Sequence, residues 1–173
     1  ATSTASASSD VYDVSSIVEN CMPSVVSITN VGTQEFRTIF GNYEQESQSS
    51  GSGIIIGQND TELLIVTNNH VVSGAKELSV YFNSDGQDAD EDNVISAKIK
   101  GTDADKDLAV IAVQLSDIPD ETMSSIKTAT VGDSSALKVG EPVVAIGNAY
   151  GYGLSVTSGI VSALNREVTV QSD

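Results

Sequence analysis

Short β-branched runs, none longer than about six residues, alternate with turn residues every eight to twelve positions or so, a rhythm that points to an antiparallel β-fold. The segments SVVSITN (24–30), ELLIVTN (62–68) and VISAKIKG (94–101) read as strands, as does the buried pattern DLAVIAVQL (107–115). ELSVYF (77–82) alternates strictly, with Leu78, Val80 and Phe82 on one face. EFRTIF (35–40) reads as part of a hairpin, GNYEQESQSS (41–50) as a polar loop, and GIIIG (53–57) as another short strand ending in a turn at Gln58, Asn59 and Asp60. That makes about six or seven strands by residue 115, and a small closed antiparallel barrel is the architecture that leaves them no open edge. No apolar run approaches the twenty or so residues that a membrane-spanning helix needs.

The flanks differ from this β texture. Residues 1–9 contain only Ala, Thr and Ser and read as a flexible tether, and the chain begins at Ala1 without an initiator Met or a signal-peptide pattern. Val11, Val14, Ile17, Val18 and Cys21 then recur at helical spacing until Pro23 intervenes, which places Cys21 on a buried apolar face. The expected organisation is a tether and short segment over 1–17, a first barrel over 18–115 and a linker over 116–130. A second β-unit over 131–173 is built from ATVGDS, EPVVAIGNA (141–149) and SVTSGIVSAL (155–164). Three or four strands do not close a barrel, so this second unit is expected to be incomplete within the chain.

Charge and rare residues narrow the chemistry. Lys and Arg number 8 against 24 Asp and Glu, a formal net charge of −16, and such a surface repels phosphate backbones, so no nucleic-acid partner is expected. A single cysteine excludes an internal disulfide, and a single histidine excludes a histidine-rich metal site. Imidazole chemistry near neutral pH therefore has one candidate, His70, presented in IVTNNHVV where an apolar strand ends beside Ser73 and Gly74. A solitary histidine is ordinarily a satisfied surface or core residue. Here Asp107 opens a second apolar strand, where a carboxylate is costly unless something pairs with it. An imidazole that must keep one tautomer and carry a proton transiently is such a partner.

GSGIII (51–56), VTNNHVV (66–72) and KDLAVIAV (106–113), followed by VGDSSALKVGEPVVAIGNAYG (131–151) and SVTSGIVSALNREV (155–168), resemble the HtrA/Deg serine proteases of the chymotrypsin-like class. The resemblance runs from about Val18 to Val168 and implies an all-β, chymotrypsin-like double barrel, the first barrel complete and the second only partly present. It implies that His70 is the catalytic general base and Asp107 its orienting carboxylate. It further implies an endopeptidase acting on unfolded or misfolded polypeptides outside the cytoplasm, often as a homotrimer, and often with a PDZ domain elsewhere in the full-length protein. The tether resembles a spacer from a membrane anchor. Tyr12, Phe36, Phe40 and Tyr43 are the aromatics available for trimer contacts.

One part of the family pattern is missing. The nucleophile of the family lies in a Gly-Asn-Ser-Gly-Gly segment of the second barrel, and no such segment occurs in the 173 residues. Gly132-Asp133-Ser134 imitates a Gly-Asp-Ser-Gly-Gly signature but continues into Ser135 and Ala136, without the flexible turn whose amides make an oxyanion hole. Ser52 reads as a small residue beside a packed glycine strand. The chain by itself is thus expected to be inactive, whether it is a piece of a protease, one chain of a complementing pair or a natural pseudoprotease. A non-catalytic peptide- or protein-binding module is the alternative, against which retention of both His70 and Asp107 weighs. No cofactor is expected. The acidic run from Asp85 to Asp92 reads as a solvated hairpin tip, with calcium binding the weaker alternative. The Asp103, Asp105, Asp107 alternation fails as a calcium loop, because Leu108 and Gln114 stand where glycine and a bidentate glutamate belong.

Overall fold

Residues 13–38, 41–82, 94–148 and 154–166 are described by the structure, a computed structural model. After helix α1 (Ser15–Cys21) and a 3-10 turn led by Met22 and Pro23, six strands follow: β1 (Val25–Thr38), β2 (Gly41–Gln58), β3 (Glu62–Thr67), β4 (Ala75–Phe82), β5 (Val94–Asp103) and β6 (Leu108–Gln114). They close a barrel in the order β1-β2-β3-β6-β5-β4, every neighbour antiparallel. The alternation written in the sequence becomes the barrel interior. Val26 and Ile28, Leu63 and Ile65, Leu78, Val80 and Phe82, and Ile111 and Val113 all point inward and are buried. Each such side chain contributes about 1.5–3 kcal/mol of transfer free energy.

β2 faces inward with Gly51, Gly53 and Ile55, and the two glycines are places of close approach. A Cβ on Gly53 would lie 2.6 Å from Ile65 and 2.9 Å from Ile28, so the barrel is filled across that point by its neighbours. A short helix, α3 (Asp120–Ser125), follows β6, and Ile118, Met123 and Ile126 pack on the same core. The linker is tied down by its backbone: Lys127 N–H donates to Pro23 O and Ala129 N–H to Ile55 O.

The second unit is a two-stranded antiparallel sheet of β7 (Pro142–Gly147) and β8 (Ser155–Ile160) among the described residues. Its join to the barrel is specific: the backbone N–H of Asn148, just past β7, donates to Ser52 Oγ at 2.6 Å.

Three expectations are corrected. Residues 41–50 are strand, not loop, because β1 continues outward and its backbone offers partners in register from Val25 with Ile54 to Thr38 with Gly41. Ladder hydrogen bonds override the polar composition there. ATVGDS is not strand; Asp133 caps a 3-10 turn over Ser134–Ala136, its carboxylate accepting from both the N–H and the hydroxyl of Ser135. Cys21 is exposed rather than buried, since α1 buries none of its residues against the barrel. Among the described residues no helix is long and apolar enough to cross a membrane.

Candidate active site

His70 sits in α2 (Asn69–Val72), a single helical turn inserted between β3 and β4, rather than at a bare strand end. Two buried valines on the same turn, Val71 and Val72, anchor it to the barrel. Gly51 is what makes room: a Cβ there would stand 2.5 Å from a methyl of Val71. The turn ends at Ser73 and then Gly74, whose φ of +68° lies in the left-handed region that glycine occupies at little cost.

Asp107 is delivered from the neighbouring strand, at the end of the turn that leads into β6, whose first residues pair with the end of β3. Its φ of 51° makes it one of two described non-glycine residues with left-handed backbone. Aspartate tolerates that conformation better than most residues, and the Asp107 N–H closes the turn on Ala104 O. Asn68 Nδ2 donates to the Asp107 carbonyl at 3.0 Å, tying this turn to the end of β3. Neighbouring Asp103 is engaged elsewhere, accepting from Lys106 Nζ at 2.9 Å, so the alternating aspartates have separate tasks.

His70 and Asp107 meet twice. The backbone N–H of His70 donates to Asp107 Oδ1 at 2.9 Å, and its ring Nδ1 lies 2.7 Å from Oδ2. The His70 backbone N–H is the main reason the Asp107 carboxyl is held below its ordinary range; burial opposes this, while the imidazole and Asn68 add to it. An ionised carboxylate can only accept, so Nδ1 carries a proton, and in the neutral ring the lone pair is then on Nε2. The His70 side chain is 63% exposed and that of Asp107 18%, so the carboxylate is sheltered behind a ring open to solvent. The arrangement can accept a proton at Nε2 and stabilise the resulting imidazolium through Asp107.

The other candidates are placed apart from this chemistry. Gly132, Asp133 and Ser134 lie on an exposed turn whose carboxylate is occupied by Ser135. Ser52 accepts from Asn148, and its carbonyl accepts from Thr67 Oγ1, both structural contacts. The acidic run from Asp85 to Asp92, Tyr12 and Phe40 lie outside the described residues, and Phe36 and Tyr43 are register partners across β1 and β2. Among the described residues no three His, Cys, Asp or Glu gather as a metal-binding group. Sequence reasoning missed Asn30, Asn68 and Gly51. The NN doublet before His70 is the one local signal that would have drawn notice to Asn68.

Comparison with known proteins bears on this geometry. The trypsin-like peptidase domain matches residues 51–173. Serine protease Do-like HtrA of Bacillus subtilis is 38% identical over 172 residues, covering 95% of this chain and 35% of that protein. The periplasmic pH-dependent serine endoprotease DegQ of Escherichia coli is 35% identical over 163 residues, covering 87% of this chain and 32% of its own length. The chain thus spans about a third of the length of these relatives. A variant of the HtrA-type protease AlgW, solved with a decapeptide, superposes with a TM-score of 0.70 at 28% identity, covering 90% of this chain and 46% of that one. Barrel order, strand sequence and these likenesses agree: the chain belongs to the trypsin-like peptidases and carries protease-domain sequence of their HtrA family.

Proposed function

We propose that this chain supplies the base and orienting carboxylate of an HtrA-like serine endopeptidase that hydrolyses unfolded or misfolded polypeptides. The observation that carries the reading is the double engagement of one carboxylate by one residue, His70, through backbone N–H and ring Nδ1. In this reading Nε2 of His70 takes the proton of a serine hydroxyl as it attacks the scissile carbonyl, and returns it to the leaving amine. Asp107 keeps the ring in the tautomer that makes Nε2 basic. The 173 residues hold no Gly-x-Ser-Gly-Gly segment, so the nucleophile and its oxyanion amides are proposed to come from polypeptide beyond them. Relatives named periplasmic endoproteases support an extracytoplasmic location, with anchoring through the Ala/Ser/Thr-rich opening residues and trimeric assembly as parts of the same proposal.

The test is casein hydrolysis. The chain alone is expected to show no turnover, and joining it to a serine-bearing remainder of the domain, in cis or as a second chain, is expected to restore it. His70→Ala in that assembled protease should lower kcat by about 10⁴-fold or more. Turnover by the 173-residue chain that survives His70→Ala would overturn the assignment.

A further inference from the structure

We propose that Asn30 is the positioning residue for His70: its side-chain amide clamps the turn that bears the histidine and so holds the imidazole in register with Asp107. Asn30 lies on β1 and is 4% exposed. Its Nδ2 donates to Val71 O at 2.9 Å and to Ser73 O at 3.0 Å. These are the carbonyls of the turn immediately after His70. A one-turn helix has no later turn of its own to satisfy them, and it does not persist unaided in water. Asn30 takes both with the two hydrogens of one amide group.

The orientation of that amide is settled by its neighbours, since two carbonyl oxygens can face only the nitrogen. The consequence is that Oδ1 is buried without a hydrogen-bond partner among the described residues. An orphaned buried acceptor is a standing cost that an alanine or valine in this place would not carry. The residue is therefore explained by what its nitrogen does for α2. Two positions along the same face of β1, a Cβ on Gly32 would stand 2.7 Å from Gly74 O, so the strand lies hard against the end of the turn. α2 is thus gripped from two sides, by Asn30 of β1 at Val71 and Ser73, and by Asp107 before β6 at the His70 N–H. Asn30 touches neither the ring nor any reacting atom; it acts through the backbone.

The inference builds on the reading of His70 as the base, but its test does not need catalysis. His70 is the only histidine, so its ring signals are unambiguous in the intact chain. Nuclear magnetic resonance of the wild-type chain should show a slowly exchanging, low-field Nδ1 proton. In Asn30→Ala that signal is expected to broaden away and the ring nitrogens to shift toward the tautomer mixture of free imidazole, with the core methyl spectrum still native. Asn30→Asp, equal in size but without the donors, is expected to do the same. A folded variant of either kind that keeps the wild-type Nδ1 signal overturns the proposal. Should neither variant fold, the wild type still decides. The Asn30 side-chain amide protons should exchange at least about 100-fold more slowly than those of exposed Asn20, and equal rates would refute the clamp. In the assembled protease, Asn30→Ala should lower kcat by about 10- to 100-fold with KM held within about two-fold. If His70→Ala leaves proteolysis intact, the base reading fails, while the ring and amide signals still judge the clamp separately.

Discussion

At the scale of single residues, Asp107 does two jobs with one carboxylate, and one substitution, read by two measurements, reports on both. Asp107→Asn keeps the shape but offers an amide nitrogen as well as an oxygen, so Nδ1 of His70 is no longer obliged to be the protonated ring nitrogen. In the assembled protease kcat is expected to fall by about 10³- to 10⁴-fold with substrate binding little changed. The same residue sets a pH dependence of stability. Its folded-state pKa lies below the ordinary 3.8, first through the His70 N–H, so ionised Asp107 stabilises the fold above that value. The contribution is lost as pH falls through the lowered folded value. Urea unfolding followed from pH 6 downward should therefore lose less stability below about pH 4 in Asp107→Asn than in the wild type, and parallel curves would contradict this.

Elements are positioned here by what is left out as much as by what is present. Gly51 on β2 is empty so that Val71 of α2 can sit over it at less than a side chain's distance. Gly51→Ala should cost about 1–3 kcal/mol in urea unfolding by overpacking this point. Adding Val71→Ala should recover part of that loss, so the two changes together cost less than their sum. Strictly additive losses would mean that the strain arises elsewhere. The β1–β2 ribbon teaches a related lesson about reading elements. Residues 41–50 carry the polar composition of a loop, yet pair in unbroken register because β1 is long enough to receive them. Composition alone does not decide between loop and strand where a partner strand offers its backbone in register.

Over the whole molecule the two β-units differ in what supports them. The barrel has a continuous core from Val26 to Val113, whereas Val131, Val139 and Ile160 of the second unit are 80%, 61% and 62% exposed. A two-stranded sheet is marginal without packing on a face. In the chain as described, amides of β7 and β8 are expected to exchange at least about 10³-fold faster than those of β3 and β6, and uniform protection would refute this. The Ser52 hydroxyl links the units at Asn148, so Ser52→Ala should speed exchange in β7 while leaving the barrel amides unchanged.

Much of the barrel was legible in the residues alone because a period of two with β-branched side chains has one economical solution, a pleated sheet with one face inside. Leu78, Val80 and Phe82 are buried where alternation puts them. His70 and Asp107 were legible as candidates because a solitary imidazole and a carboxylate at the mouth of an apolar strand each demand a partner. Their meeting was decided by tertiary structure, since 37 residues of chain separate them and only closure of β3 on β6 brings their turns together. The same holds for Asn30 and Gly51. An asparagine or a glycine within a strand has no local signature of purpose; each acquires it from α2, which the folded barrel lays across them.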